Sequence, residues 1–231
     1  MGRPQRRERA RRAVRRAILD AARRLFVEQG YRNVSIRRIA ARVDYSAAAI
    51  YSYFPGKDAI FFALAEAGFQ RLDAALERSR AGTDDPLDLL RRGFLAYYTF
   101  SKANPEYFGL MFVDRTVPRL AEDWSRFGFL HSAFERASAA ITRCIEAGVF
   151  PAGTNVHAAF HILWAGVHGV ATIGLCNLFA PGEDPDAMAR DTLEAAIAGL
   201  RSGLATTFIG ADYAALLSSP ATSGGASDDH D

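Results

Sequence analysis

Apolar residues recur at helical spacing along most of the chain, with polar residues between them. In the first stretch Val14, Ile18, Leu25 and Phe26 share one face, which predicts an amphipathic helix over residues 11–28. The same spacing predicts further helices at 36–43, 47–54, 57–80, 86–103, 105–113, 118–148, 154–179 and 185–208. No segment alternates between apolar and polar residues as a half-buried strand does, so the pattern predicts an all-α fold.

Two of these helices are short and are separated by a tight turn. Ser35 and Ser46 stand where N-caps belong, because a serine hydroxyl can accept from the free N–H groups of the following turn. Pro55 ends the second helix. Residues 35–54 therefore indicate a helix-turn-helix, which can place its second helix in the DNA major groove; an ordinary helical hairpin is the alternative.

The charge of the chain is divided unevenly between its two parts. The formal net charge is only +2. Residues 1–58 carry 15 Lys and Arg against 5 Asp and Glu, a net charge of +10, whereas residues 59–231 carry 13 against 21, a net charge of −8. A basic head on an acidic body favours a polyanionic partner for the head.

Much of the basic charge lies near the N-terminus, where residues 3–16 contain eight arginines. The Arg-rich arm, residues 3–12, can follow the DNA backbone or enter the minor groove. A solvated Arg-rich helix and a membrane-surface helix are the alternatives, but the second needs a broad apolar face, and residues 3–16 offer only Ala10, Ala13 and Val14.

The helix-turn-helix carries a motif that identifies a family resemblance. Ser35, Ile39-Ala40, Ser46, Tyr51 and the Phe54-to-Lys57 segment follow without a gap the spacing typical of TetR-family regulators. The resemblance covers about residues 12–65 and implies phosphate contacts from four side chains: Ser35, Tyr51, Tyr53 and Lys57. The complete predicted DNA-binding set is Ser35, Arg37, Arg38, Tyr45, Ser46, Ala47, Ala48, Tyr51, Ser52, Tyr53 and Lys57.

Two positions depart from the family pattern. Asp44 occupies the turn where glycine is usual, and Asp adopts left-handed geometry less readily than Gly. The second helix begins with Ala47-Ala48-Ala49, whose methyl groups can contact thymine but cannot donate hydrogen bonds. Base readout by hydrogen bonds then falls mainly to Ser46, Tyr51 and Ser52.

The acidic body is rich in aromatic side chains, which favours an apolar cavity with a few polar anchors. A solid core without a ligand is the alternative. We expect a hydrophobic or aromatic small-molecule effector, contacted by Tyr97, Phe108, Met111, Phe112, Trp124, Phe127, His131, His161, Trp164 and His168.

Three of the five histidines share one face of the helix predicted at 154–179. His157, His161 and His168 fall within about 40° of one another at 100° per residue. Such spacing is compatible with a divalent metal, whereas the alternative is a set of imidazoles satisfied by hydrogen bonds. No HExxH, GxSxG or phosphate-loop motif accompanies them, so we expect no enzyme and no required cofactor.

The run from Trp164 to Gly169 resembles the Trp-x-x-x-His-Gly feature of one C-terminal domain type, the WHG type, which follows TetR-like heads. This resemblance implies an effector-binding and dimerising body, with the last two helices of each subunit forming a four-helix interface. The predicted organisation is a basic arm at 1–11, a DNA-binding domain at 12–58, a helical effector-binding and dimerisation domain at 59–209, and a disordered acidic tail at 210–231.

These patterns together predict a homodimeric, effector-released repressor of a palindromic double-stranded DNA operator. The alternatives are a metal-binding protein or metal-dependent enzyme that uses the histidine face, and a DNA-binding protein that needs no ligand. A cytoplasmic location without membrane association is expected, because the Arg-rich start lacks the apolar segment of a signal peptide and His161, His168 and Asn177 interrupt the longest apolar stretch.

Overall fold

The computed structural model describes residues 3–118, 128–203 and 205–208, and all regular structure in them is helical. The head contains α1 (Arg3–Gln29), a 3₁₀ turn (Tyr31–Asn33), α2 (Ile36–Arg42) and α3 (Ala47–Tyr51). The body contains α4 (Lys57–Ser79), α5 (Pro86–Ala103), α6 (Pro105–Phe108), a π-helical turn (Gly109–Val113), α7 (Gly128–Glu146), α8 (Val156–Leu175) and α9 (Pro185–Arg201). The prediction of an all-α fold with an N-terminal helix-turn-helix is confirmed.

Local side-chain chemistry sets the ends of the head helices. Gly30 adopts φ 76° directly after α1, a left-handed conformation that ends the helix without a Cβ penalty. The Ser35 hydroxyl accepts from the Arg38 amide and the Ser46 hydroxyl accepts from the Ala49 amide, so both predicted N-caps are present. Asp44, in the turn between α2 and α3, has φ 56° and thus adopts the left-handed geometry for which glycine is the usual residue.

Helix α5 lies at the centre of the body and packs against α4, α7, α8 and α9, while α8 also packs along α9. The apolar faces of these helices form one continuous core that extends into the head. Its fully buried side chains include Phe26, Phe61, Phe108, Phe150, Ile141 and Leu163. Burying side chains of this size contributes about 1.5–3 kcal/mol each relative to exposure, so apolar packing holds the head on the body.

Ion pairs join helices that are distant in sequence. Arg91 donates two hydrogen bonds, of 2.6 and 2.7 Å, to the Glu194 carboxylate, which links α5 to α9 and holds the pKa of Glu194 below its usual range. Asp186 accepts from Lys102 at 2.5 Å and from Tyr98 at 2.8 Å, which lowers the pKa of Asp186. These side chains are half exposed, so the pairs fix orientation more than they add stability.

The head meets the body where α1 and α4 contact α6 and the π-helical turn. Arg23 of α1 forms an ion pair with Glu106, and its guanidinium lies 5.4 Å from the centre of the Tyr107 ring. Gly68 of α4 faces Met111 so closely that a Cβ at Gly68 would overlap the Met111 sulfur. The missing side chain thus allows α4 to approach the segment that follows α6.

The observed ends of several helices differ from the predicted ones. Helix α1 begins at Arg3 instead of near residue 11, because Arg, Ala and Glu are good helix formers and the Glu8–Arg12 pair, at 2.9 Å, supports the first turns. The segment 109–113 is π-helical. Residues 114–118 are not helical, and α7 is described only from Gly128, so the prediction of a helix from 118 is wrong at residue 118.

Helix α8 is long and apolar enough to cross a membrane by length and composition. Of its most apolar 18-residue stretch, 33% is buried inside the fold. It is the one such helix in the part of the chain that the structure describes. A helix that is apolar on most sides is also what a protein core requires, and α8 packs against three other helices.

Candidate nucleic-acid interface and effector site

The predicted DNA-contacting side chains lie along one helix-turn-helix surface. Tyr45 in the turn is 43% exposed, and Tyr51 at the end of α3 is 55% exposed, which is unusual for large aromatic side chains. Ser35, Arg37, Arg38, Ser46, Ala48 and Ser52 are also exposed, whereas Ala47, Tyr53 and Lys57 are half-buried. Ile50 of α3 is fully buried and anchors the helix to the head.

The two serines that flank α3 have different capacities to bind a base. The Ser46 oxygen accepts from the Ala49 amide at 3.1 Å, which leaves its hydroxyl proton available to a base or phosphate. The Ser52 hydroxyl donates to the Ala49 carbonyl at 2.7 Å, so it can only accept in this conformation. Since Ala47 and Ala48 donate nothing, the side-chain hydroxyl donors at the turn and α3 are those of Ser46 and the two exposed tyrosines, beside the guanidinium donors of Arg37 and Arg38 on α2.

Lys57 is held against Tyr31 at the start of α4. Its ammonium donates to the Tyr31 carbonyl at 2.9 Å and lies 4.2 Å from the centre of the Tyr31 ring. The Tyr31 hydroxyl in turn donates to the Asp58 carboxylate; burial, with Asp58 beside it, raises the pKa of Tyr31. Tyr31 and Asp58 thus position Lys57, which is predicted to contact a DNA phosphate, and the sequence motif did not reveal this role.

The basic arm is the N-terminal half of α1. Its side chains from Pro4 to Ala13 are exposed. The Arg11 guanidinium lies 5.8 Å from the centre of the Tyr53 ring and the Arg15 guanidinium 4.9 Å from that of Phe54, which puts basic charge beside the end of α3. A helix is about 10–12 Å wide and the minor groove about 6 Å wide, so the arm in this form can follow the backbone but cannot enter the minor groove.

Arg11 and Arg15 were absent from the predicted DNA-binding set, although both lie among the Arg-rich residues 3–16. Their spacing i, i+4 in the helix predicted at 11–28 puts them on the same face.

Several of the predicted effector contacts form one aromatic cluster in the body. The Tyr97 hydroxyl lies 2.8 Å from His168 Nδ1. Ring centres are 5.4 Å apart for Phe108 and His168, 5.7 Å for Tyr97 and Phe112, and 5.1 Å for Trp164 and His168. Burial raises the pKa of Tyr97 and lowers that of His168, so a neutral imidazole accepting from the tyrosine is the favoured state.

The remaining predicted effector contacts fall elsewhere. Met111 is buried beside Gly68 of α4. His161 lies next to the aromatic cluster, with its ring 6.4 Å from Trp164 and 5.0 Å from Phe208. Trp124 and Phe127 lie outside the described residues, as do the side chain of His131 in α7 and the predicted tail at 210–231.

The predicted metal ligands engage separate partners. His161 Nδ1 lies 2.8 Å from the His157 carbonyl, and His168 Nδ1 lies beside Tyr97. Across 3–118, 128–203 and 205–208, no group of three or more His, Cys, Asp and Glu side chains could hold a metal ion.

Two family models match the chain. Residues 18–64 match the model described as bacterial regulatory proteins, tetR family, and residues 90–196 match the tetracyclin repressor-like, C-terminal domain. The chain belongs to the TetR family. The two TetR matches correspond to the head with its helix-turn-helix and to most of the helical body described above.

Curated TetR-type relatives match the N-terminal part. The transcriptional repressor Rv1474c of Mycobacterium tuberculosis is 46% identical over 66 residues, 29% of this chain and 35% of that protein. The repressor KstR of Mycolicibacterium smegmatis is 32% identical over 81 residues, 35% of this chain and 40% of that protein. The chain therefore spans little more than a third of the length of these relatives.

A solved structure shares the TetR fold over a longer range. The regulator FadR from Bacillus subtilis, in complex with stearoyl-CoA, superimposes with a TM-score of 0.66 at 18% identity, covering 79% of this chain and 97% of that one. At that identity the likeness shows the fold alone.

Proposed function

We propose that this TetR-family chain is a DNA-binding transcriptional repressor, with no catalytic step assigned to it. The observation that carries the proposal is the exposed surface of α2, the turn and α3, where Tyr45, Ser46 and Tyr51 face solvent beside the basic half of α1. The named relatives that share this segment are transcriptional repressors. A regulator of this kind acts in the cytoplasm, where a bacterial chromosome lies.

The proposed repressor is a homodimer that joins through α8 and α9. Helix α8 is strongly apolar, yet more than half of its residues are only half-buried within one subunit. Ala165 and Ile173 on α8 and Met188 on α9 are exposed, and Gly166 lets the two helices approach until its Cβ position lies 2.9 Å from Thr192. Two-fold symmetry would let the pair of heads read two half-sites about 34–36 Å apart.

The proposed effector is a hydrophobic or aromatic small molecule that binds in the body. The cluster of Tyr97, Phe108, Phe112, Trp164 and His168 provides apolar rings with one hydroxyl–imidazole pair as a polar anchor. The FadR structure that shares this fold contains stearoyl-CoA, a ligand with a long apolar chain. We assign no required metal or other cofactor to this site.

Release from DNA is proposed to act through α4. Helix α4 begins at Lys57 in the head and packs in the body against α5, α6 and α7, so a shift of its body half would change the distance between the two heads. Gly68 is the contact point, because it touches Met111 on the segment that follows Phe108 of the aromatic cluster. An effector can shift this equilibrium only by binding the two arrangements with different affinity.

The decisive experiment selects bound fragments of genomic DNA with the purified full chain and then measures affinity for the recovered site. We expect a palindrome, and we expect Tyr51→Ala to weaken its binding at least tenfold with helix content unchanged. Arg115→Gln, an exposed arginine of the body outside α8 and α9, is the matched control. Equal binding to random DNA of the same length would instead support a ligand-independent, non-specific DNA-binding protein.

The metal alternative has its own test. Metal analysis of the purified chain, with and without His161→Ala, would show a stoichiometric divalent ion lost in the variant if the histidine face held one.

A further inference from the structure

The outer surface of the body contains a cleft whose lining includes no residue of the aromatic cluster. It has a volume of about 810 Å³ and lies between one face of α4 and one face of α5. Its α4 side is formed by residues 71, 74, 75, 78 and 79, and its α5 side by residues 92, 95, 96, 99, 100 and 103. Within both sets the lining residues recur at spacings of three and four, which places each set on one face of its helix, so two continuous helix faces form the walls.

The charge in this cleft is unusual for the acidic body. Its described lining contains three guanidinium groups, from Arg71, Arg78 and Arg92, and no carboxylate. Guanidinium groups bind phosphate through paired N–H donors, and Arg71 and Arg78 lie about 10 Å apart along α4, so arginines on both walls favour an anionic ligand over a cationic one. Ser79, Thr99 and Asn104 add polar side chains to the same lining.

Two of the three arginines are already held in place. Arg71 lies 4.9 Å from the centre of the Tyr107 ring, and Arg92 donates to the Ala81 carbonyl and pairs with Asp88, both at 2.9 Å. Arg78 is exposed, and no ion pair with a described carboxylate holds it. Arg78 is therefore the cation most available to an incoming anion.

The apolar part of the cleft is lined mainly by small side chains. Ala74 and Ala75 from α4 and Leu95, Ala96 and Phe100 from α5 leave space where larger side chains would fill it. The volume lies within the range of small-molecule sites, about 300–1,000 Å³. A ligand with an anionic group at the arginines and a carbon portion on the alanines would match both parts.

We propose that this cleft binds a small molecule that carries phosphate groups. DNA does not supply them, because Arg71 follows Lys57 by 14 residues in α4, which separates the cleft from the DNA-binding head by about 21 Å of helix. A bound anion would hold the body half of α4 against α5. Any effect of that contact on operator binding rests on the proposed function, whereas the binding itself does not.

The test uses the full-length dimer labelled at alanine methyl groups, titrated with inorganic pyrophosphate and followed by NMR. Ala74, Ala75 and Ala96 report on the cleft, and Ala47 and Ala48 report on the basic head. We expect saturable shifts at the cleft methyls, weakened at least fivefold in Arg78→Gln and in Arg92→Gln but unchanged in Arg190→Gln.

Two results would overturn the proposal: shifts confined to Ala47 and Ala48, or cleft shifts that both arginine variants leave intact. Operator affinity is measured in a separate experiment for wild type and Arg78→Gln. Both are measured at the same pyrophosphate concentration, so that competition between pyrophosphate and DNA for the head is equal in the two proteins. Failure of operator binding together with intact cleft shifts would refute the proposed function and leave the phosphate site standing.

Discussion

Replacing Gly68 by alanine tests the close contact between α4 and the segment after α6. The new Cβ would overlap the Met111 sulfur and lie 3.1 Å from Tyr107 Cδ1. Overpacking of this kind costs about 1–3 kcal/mol. The same change restricts the unfolded chain, which returns about 0.4–1 kcal/mol. We therefore expect Gly68→Ala to destabilise the fold by about 0–2.6 kcal/mol.

Gly93 in α5 is the matched control, because a Cβ there would meet no described atom within 4 Å. Gly93→Ala keeps the entropic gain without the overlap, so it should stabilise the chain by about 0.4–1 kcal/mol. Urea unfolding of both variants at one protein concentration measures the difference, which should be about 1–3 kcal/mol, the cost of the overlap alone.

A third variant separates the Met111 contact from other effects at Gly68. If the Met111 side chain is the obstacle, Gly68→Ala should lose most of its penalty in a Met111→Ala background. Equal stabilisation by Gly68→Ala and Gly93→Ala would refute the reasoning, because α4 would then have room for a side chain at its contact with the body.

Three further predictions concern the head and the aromatic cluster. Ser46→Ala should cost about 0.5–2 kcal/mol in urea unfolding, whereas Ser46→Asp should keep the cap and the stability yet weaken operator binding, since it puts negative charge against phosphate. Equal operator affinity for Ser46→Asp and wild type would place Ser46 away from DNA. Arg11→Gln with Arg15→Gln should reduce the slope of log K against log salt by about 1.8, and Arg80→Gln should leave it unchanged. The folded-state pKa of His168 is lowered by burial from 6.5, so the unfolded chain binds more protons below that pH. The stability that His168 contributes is complete above about pH 6.5 and decreases as the pH falls towards the folded-state pKa. His168→Gln should abolish this part of the decline in urea unfolding between pH 7 and 5; an unchanged pH profile would contradict it.

The sequence predicted the fold best where a residue with a distinct conformational preference marks a helix end. Gly30, Ser35, Ser46 and Pro86 each do so, and the structure places helix ends at or next to all four. The start of α1 was predicted late, because no breaker separates its basic turns from its apolar ones. The π-helical turn at Gly109–Val113 was not predicted, because the apolar spacing of this segment does not distinguish it from the α-helix predicted at 105–113.

The sequence predicted which residues lie at the candidate site better than it predicted which of their polar groups are already hydrogen-bonded. Tyr51 and Ser46 are exposed at the two ends of α3, as their positions in the motif predict, whereas Ile50 between them is buried. Whether a polar group is already engaged depends on neighbours that the spacing does not reveal: Ser52 donates to its own helix, and Lys57 folds back on Tyr31. The pairing of Tyr97 with His168, 71 residues apart, depends on the packing of α5 against α8.

The helical form of the basic arm changes the thermodynamics of binding. Ordering a residue's backbone costs about 1–2 kcal/mol of conformational entropy, and a flexible arm would lose that freedom each time it met DNA. In α1 the arm from Arg3 is already continuous with the helix that Ile18 and Phe26 anchor in the core. The entropy cost of ordering the arm is therefore incurred when the head folds, before DNA binds. More of the attraction between guanidinium and phosphate remains as net affinity, and the arginines approach DNA as a rigid rod with a fixed direction.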